Sequence, residues 1–377
     1  MANTCPAILV HGLFGWGPSE AGGFPYWGTG VVVPCPLPRY VASVGPISSN
    51  HDRACELAYQ IKGGRVDYGQ EHSAGAQHKR RGRAYGAGLY PQWSQAHPVH
   101  LIGHSMGAPT IWMLQHLLAI DYFGWGSNAD WVTSINCISG VLNGSTATYF
   151  LGCDERTGLI EEALIPHVVK GAIELYTSIT GDVFERFYDF DLDQWGFRRA
   201  PSESLADYLT RICSGPFFRG QDNAVYCLTI QGMLLQNALC ATHANTYYFS
   251  YVTEQTYKGF LTGRYLPEPS MNPFMLAPSF YIGSKVFDAP FYHGFRSPDW
   301  WPNDGLVSTY AQEFPRIAGK QRSAAGITKR HSFQAGVWYH ETLESVDHID
   351  IVALPQLDQI GFQKEFYTSL FERLASL

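Results

Sequence analysis

The sequence predicts an α/β fold with a mostly parallel central sheet flanked by helices, on three observations. Short apolar runs alternate with amphipathic helical stretches along the 377 residues. One junction, Val99-His100-Leu101-Ile102, then Gly103-His104-Ser105-Met106-Gly107, then Ile111 to Leu118, reads as strand, sharp turn and helix. The composition suits a large core: 45% of residues are apolar and only 16% are charged, which excludes a disordered chain.

Each element follows from local pattern. Residues 5–12 read as a first strand running into a turn, and the Gly- and Pro-rich stretch 13–50 as loop. Over 52–62, Ala54, Cys55, Leu57, Ala58 and Ile61 share one helical face. Residues 63–92 are polar and Gly-rich with few apolar anchors. So long a stretch in a compact domain needs another source of order, such as a bound ion. After the Ser105 junction come a strand near Trp131–Ile138 and a helix opened by Pro166, with Val168, Val169, Ala172, Ile173 and Tyr176 on one face. A helix over 205–213 and an aromatic, β-branched strand over 246–253 follow. Residues 265–302 read as irregular loop, and a final helix spans Phe362 to Ala375. One domain, 1–377, is expected.

Charge and cysteines narrow the function classes. A net charge of −7 without a basic stripe excludes a nucleic-acid partner. The run Lys79-Arg80-Arg81 with Arg83 reads as a solvated or ion-paired loop. No apolar run reaches the length of about 18 residues that a membrane span needs. Met1-Ala2-Asn3-Thr4 lacks a positive n-region, so no signal peptide is expected here. That leaves a cytoplasmic protein or a mature secreted form. Aromatics at 14% fit large aromatic cores or an apolar substrate groove. The eight cysteines show no CxxC spacing. Cys5, Cys55 and Cys137 are expected as buried thiols, and Cys213 with Cys227 as a bridge. Asn143-Gly144-Ser145 fits the glycosylation sequon, and no HExxH occurs.

The chemistry concentrates at Ser105. A serine hydroxyl becomes a nucleophile only when a base takes its proton and a third group orients that base. A strand–turn–helix GxSxG is the nucleophile elbow of the α/β-hydrolase fold, in which the acid and then the histidine follow the serine along the chain. Asp304, on the turn Asn303-Asp304-Gly305 before a strand-like Leu306 to Thr309, is the expected acid. His348, before a strand-like Ile351 to Leu354, is the expected base. Asp299, Asp347, His293, His331 and His340 rank lower because none lies at a clear strand end. The oxyanion needs preplaced N–H donors. Met106, after the nucleophile, and Leu13, in the loop His11-Gly12-Leu13-Phe14-Gly15, are expected to supply them, with His11 bracing that loop.

These segments resemble the zinc-containing bacterial lipases of family I.5, the Bacillus/Geobacillus-type enzymes and their staphylococcal relatives. The match runs nearly end to end, through Ile8–Gly17, Val44–Asn50, Asp52–Glu56, Val66–Gly69, Asp193–Gly196, Asn245–Tyr248, Asn303–Gly305 and Asp347-His348. The resemblance implies a Ser105–His348–Asp304 triad. It also implies a structural zinc on Asp52, His72, His78 and Asp193, a donor set suited to tetrahedral Zn²⁺. His51 stands where the family has an aromatic and is a rival ligand. Gly103 replaces the family's frequent Ala. Gly283 and Asp350 fall on calcium positions, with Asp350 in place of Glu and no acid in Val352-Ala353-Leu354-Pro355. Within the single domain, 45–85 with about 190–200 would form the zinc-binding extra region, and about 155–215 a lid or cap, with 158–180 as its helix. The implied activity is a serine ester hydrolase, a triacylglycerol lipase acting at an oil–water interface. A carboxylesterase or polyesterase acting on short or polymeric esters is the alternative. Secretion and a monomer or weak oligomer are expected from the same resemblance.

Overall fold

Residues 3–18, 20, 25–28, 30–165, 170, 189–316, 321–330, 332–352 and 359–377 are described by the structure, a computed structural model. Its strands, in chain order, are β1 (Ala7–Val10), β2 (Arg39–Ala42), β3 (Gly63–Asp67), β4 (Arg81–Ala87), β5 (Val99–His104), β6 (Val132–Ile138), β7 (Tyr247–Glu254), β8 (Thr256–Lys258), β9 (Tyr265–Pro267), β10 (Arg322–Ala325) and β11 (Val337–Glu344). Seven of them form one sheet in the order β10-β11-β7-β6-β5-β1-β2. Every neighbouring pair in it is parallel. Parallel strands need crossover connections, so helices cover both faces. Of the polar residues buried in the central strands, His100 and Asn136 are paired with Ser134.

Two cores lie on the two faces. Ile8 and Val10 of β1 pack with helix α1 (Asn50–Lys62) and helix α3 (Gly107–Ala119), whereas Ala7 and Leu9 pack with the helix Gln359–Ser376. α1 begins at Ser49, whose hydroxyl accepts from the Asp52 N–H, and ends at Gly63 with φ of +95°. The N-terminal turn of α1 therefore bears on the metal site described below.

The stretch 63–92 holds more structure than its composition suggests. β3 and β4 form an antiparallel hairpin around the short helix α2 (Gln70–Ala76). Arg80 and Arg81 pair with Asp67, and Arg83 with Glu56 and Asp191, so the basic run is ion-paired. The region 265–302 likewise carries β9 and the helix Leu276–Ile282. Leu306–Thr309 and the described start of the second strand-like run, Ile351 and Val352, are not strands. Asp304 Oδ1 accepts from the N–H groups of Leu306 and Val307, and Asp347 Oδ1 from those of Ile349 and Asp350. Each carboxylate folds the apolar residues after it into a turn, a local alternative that competes with a sheet ladder.

The expected Cys213–Cys227 bridge is absent: all eight cysteines are free thiols, with Cys227 turned toward the Gln221 carbonyl. Cys55 and Cys137 are buried, but Cys5 is only half-buried. Asn143 is buried and donates to the carbonyls of Ala311 and Phe314, which closes the sequon to modification of the folded chain. Of the expected lid helix 158–180, residues 166–169 and 171–180 lie outside the described residues. Of the cap region, the helix Leu205–Ser214 is in place. Among the described residues no helix is long and apolar enough to cross a membrane.

Candidate active site and metal centre

β5 ends at His104 and α3 begins at Gly107, leaving Ser105 in the turn at φ of +55°. That left-handed conformation is costly for a serine and persists only where the surroundings impose it. Here they do. A Cβ on Gly103 would lie 2.4 Å from the Gly107 carbonyl carbon, and one on Gly107 would lie 2.2 Å from the Val10 carbonyl oxygen. The elbow is thus closed by backbone packed on backbone, and Ser105 is pushed out at its apex.

His348 and Asp304 come to Ser105 from distant parts of the chain. His348 Nε2 lies 2.8 Å from Ser105 Oγ, and its Nδ1 lies 2.8 Å from Asp304 Oδ2. The His348 N–H also donates to the Asp304 carbonyl at 2.9 Å, which fixes the two loops together. Asp304 is fully buried, and every oxygen of its carboxylate is used. Oδ2 accepts from Thr253 Oγ1 at the end of β7 and from Gln312 Nε2, while Oδ1 holds the Leu306 and Val307 N–H groups. A carboxylate so bound cannot rotate, so Nδ1–H of His348 points at it and Nε2 is left to accept from Ser105.

The rival groups are engaged elsewhere. Asp299 faces Arg296, and Asp347 caps backbone N–H groups, including that of Asn272. His293 is exposed, His340 packs on Phe314, and His331 lies outside the described residues.

The loop of His11 is pressed against the serine: a Cβ on Gly12 would lie 2.7 Å from Ser105 Cβ. Leu13 therefore sits beside the nucleophile. Met106 caps α3, where the first helical N–H groups have no intrahelical acceptor. His11 braces its loop as expected. Its Nε2 accepts from the Val44 N–H, so its Nδ1–H donates to the Gly12 carbonyl. Burial and the nearby Arg53 guanidinium pull its pKa down to about 3, which keeps it neutral.

A second buried chain was not foreseen. The Gly12 N–H donates to Tyr26 Oη, Tyr26 Oη lies 2.7 Å from His104 Nδ1, and His104 Nε2 lies 2.9 Å from the His348 carbonyl. The carbonyl only accepts, so Nε2 carries the hydrogen and Nδ1 accepts from Tyr26. Burial holds His104 far below its usual range, neutral. Its position before Ser105 in the elbow was the only sequence signal.

On the far side of α1, Asp52, His72, His78 and Asp222 bring one ligand atom each within 4.8 Å of one another. His72 Nε2 stands 3.0 Å from Asp52 Oδ1 and 3.3 Å from Asp222 Oδ1. His78 Nε2 stands 3.6 Å from Asp52 Oδ2 and 3.3 Å from Asp222 Oδ2. Tetrahedral bonds of about 2.0–2.1 Å give edges of roughly 3.3 Å, and the four nitrogen–oxygen contacts, 3.0–3.6 Å, are close to that length. Two of them, His78 Nε2 and Asp222 Oδ2, are buried with no hydrogen-bond partner, an arrangement that costs free energy unless a cation satisfies both. The four residues fit one metal ion.

The expected fourth ligand, Asp193, is corrected to Asp222. Asp193 opens the short turn Asp193–Trp195, and its neighbours face the site instead. Gln194 Nε2 donates to Asp52 Oδ2, and the Trp195 ring lies 5.2 Å from that of His78. The motif was at the right place with the wrong side chain turned inward. His51 stacks on His72 at 3.7 Å and stays outside the four. Burial alone would lower His72, but hydrogen bonds to Asp222 and Asp52 outweigh it and raise its pKa to about 10. Against the same burial, His78 is raised by the adjoining Asp222 and Asp52 carboxylates and by the bond of its Nδ1 to the Lys79 carbonyl. The two carboxylates call for two positive charges, which protons or one divalent cation supply. At the expected calcium positions, the Gly283 carbonyl accepts from the Tyr265 N–H and Asp350 Oδ2 from the Asp347 N–H. Both groups are engaged by backbone donors.

Solved structures share this architecture. EstA from Clostridium botulinum superimposes with a TM-score of 0.84 at 30% identity, covering 100% of this chain and 88% of that one. The Staphylococcus hyicus lipase gives 0.79 at 31%, covering 99% and 96%, and lipase 1 from Pelosinus fermentans 0.80 at 30%, covering 100% and 99%. Among curated sequences, the Staphylococcus hyicus lipase is 32% identical over 94% of this chain and 55% of its own length. Lipase 1 of Staphylococcus aureus is 31% identical over 96% and 53%. The chain thus spans about half the length of the curated relatives it matches. With residues 3–376 matched by the family described as lipase-like, C-terminal domain, the chain belongs to that lipase family.

Proposed function

We propose that the chain is a serine ester hydrolase, a lipase acting on acylglycerols at an oil–water interface. One observation carries this: Ser105, His348 and Asp304 stand in a continuous hydrogen-bonded line at the apex of a closed elbow. Ser105 Oγ attacks the ester carbonyl and passes its proton to His348 Nε2. Asp304 stabilises the imidazolium without taking the proton. The tetrahedral oxyanion is held by the N–H groups of Leu13 and Met106. His348 then protonates the leaving alcohol, and a water deacylates Ser105 by the same route. Leu13 and Ile349, chain neighbours of Gly12 and His348, are only partly buried against the apolar cluster and offer apolar surface suited to an acyl chain.

The metal proposed at Asp52, His72, His78 and Asp222 is zinc, on the chemistry of two imidazoles and two carboxylates. Bound there, it would supply folding stability by tying α1, α2 and the segment around Asp222 together. It takes no part in ester cleavage, and no step uses an ion at Gly283 or Asp350. Secretion belongs to the same reading and rests on the resemblance alone.

A chain-length series of p-nitrophenyl esters with emulsified triolein tests the activity, on wild type and Ser105→Ala. Turnover of long chains that rises above the solubility limit and vanishes in the variant is expected. Hydrolysis confined to short soluble esters would replace the lipase by an esterase or polyesterase, and no Ser105-dependent turnover would overturn the reading.

A further inference from the structure

The hairpin of β8 and β9 leaves two large apolar side chains in solvent. Phe260 is 100% exposed and Leu261 is 93% exposed. Single exposed apolar residues are ordinary, but two adjacent ones at full exposure on an ordered tip are not. The tip is held by its own backbone. The Gly259 N–H donates to the Arg264 carbonyl at 2.7 Å, and the Gly263 N–H donates to the Gly259 carbonyl at 2.9 Å, with Gly263 at φ of +67°. The base is braced as well. Arg264 lies 4.2 Å over the Trp301 ring and donates to the Ser284 carbonyl. The backbone that carries Phe260 and Leu261 is thus held in place, and little backbone entropy remains to be lost when their side chains are buried.

The hairpin rises from the same edge of the sheet as the Ser105 site. β7 ends beside Asp304, where Thr253 Oγ1 donates to Asp304 Oδ2. β8 follows at once. The Gln255 N–H donates to the Asn303 carbonyl, and the Asn303 N–H donates to Thr256 Oγ1. The adjoining helix Leu276–Ile282 packs on β9 and carries Phe280 half exposed, with Val286 half exposed just beyond it. One cation, Lys258, stands exposed beside the tip with Tyr257 half exposed next to it, while Glu254 and Glu268 lie at the root of the hairpin. An apolar tip with a cation and an aromatic ring at its base matches the layering of a lipid surface, with hydrocarbon inside and anionic or polar headgroups outside.

We propose that Phe260 and Leu261 are a lipid-surface anchor that docks the chain with its Ser105 edge toward the interface. The choice of a lipid as occupant rests on the ester-hydrolase reading above. The anchor makes no contact with Ser105, His348 or Asp304, so it sets how much protein sits at the surface and not the rate of bond cleavage.

Vesicle sedimentation tests this directly. The full chain carrying Ser105→Ala, which consumes no lipid, is spun with phosphatidylcholine vesicles with and without phosphatidylglycerol. Phe260→Ser with Leu261→Ser is expected to weaken partitioning roughly 100-fold on both vesicles, from the apolar area withdrawn. Lys258→Glu is expected to weaken it roughly fivefold on the anionic vesicles alone. In the Ser105 background, the double variant keeps wild-type turnover of a soluble short-chain ester and the wild-type Tm, which shows that folding and chemistry are intact. Unchanged partitioning in the double variant overturns the anchor. So does a lipid-indifferent wild type that dimerises through the tip, with the double variant monomeric. If vesicle binding depends on Phe260 and Leu261 while no long-chain ester is cleaved, the substrate reading fails and the anchor stands. If emulsified esters are cleaved and binding ignores the tip, the anchor fails and the substrate reading stands.

Discussion

At Ser105 the polar groups stand in a line, and at Asp52 they stand in a ring. Both clusters are made of aspartate and histidine, and both lie on loops and helix starts beside the same sheet. In the line, Asp304 has all its acceptor capacity used and His348 has one partner on each nitrogen. A proton can pass between Ser105 Oγ and His348 Nε2 in either direction while Asp304 holds the ring. In the ring, each imidazole faces two carboxylates, and His78 Nε2 and Asp222 Oδ2 have no partner. Such atoms converging on one point can hold a cation. Residue type therefore does not separate a catalytic cluster from a metal shell; the wiring of the hydrogen bonds does.

The largest expected effect breaks the line. Ser105→Ala should lower kcat/KM for a soluble ester by roughly 10⁴-fold or more, and Asp304→Asn by about 10⁴-fold through the wrong His348 tautomer, with Tm nearly unchanged in the first. Steady-state kinetics beside thermal unfolding checks both.

Breaking the ring should do the reverse. Asp222→Ala should destabilise by about 3–5 kcal/mol and remove the bound metal, because it leaves buried charge unpaired, while Asp193→Ala should do neither. Thermal unfolding and metal analysis distinguish the two variants. The ring also predicts a sign. His72 in the metal-free protein has a pKa raised to about 10, so it is protonated at pH 8 and must lose that proton to bind a metal. Zinc binding should release protons and tighten as pH rises, as calorimetry in buffers of different ionisation enthalpy would report.

A smaller effect tests the elbow that supports the line. Gly103→Ala places a methyl 2.4 Å from backbone, and should cost about 1–3 kcal/mol and lower kcat while sparing metal content. The smallest concerns Glu254, at the root of the hairpin. Burial, with Glu344, Glu268 and Asp304 nearby, raises its pKa from 4.5 to about 7. The folded state then holds a proton that the unfolded state has lost, so stability falls as pH rises from about 4.5 through 7. Glu254→Gln should leave stability unchanged near pH 4 and raise it at pH 8 by about 1 kcal/mol, since Glu254 is only partly buried. A Tm-against-pH profile measures the difference.

What the sequence determined by itself was chemistry written in neighbouring residues. The elbow needs small residues at Gly103 and Gly107 because the backbone of one element touches the next, and that requirement is local. The order of Ser105, Asp304 and His348 and the loop of His11 were legible for the same reason, whereas Asp52, His72 and His78 were singled out only through the resemblance. Tertiary structure alone decided what long-range contact decides. Asp222 belongs to the ring because the segment before Asn223 lands against α1, and nothing in Gly220-Gln221-Asp222 announces it. Gln194 turns inward and Asp193 does not, a choice that adjacent residues in a turn make only against a partner surface. Leu306–Thr309 and Ile351–Leu354 carry strand-like composition, yet Asp304 and Asp347 tie the residues that follow them into turns. Cys213 and Cys227 stay apart as free thiols. Composition records what a segment tends to do alone; which side chain meets which carboxylate is set by the packing of helices and strands far apart in the chain.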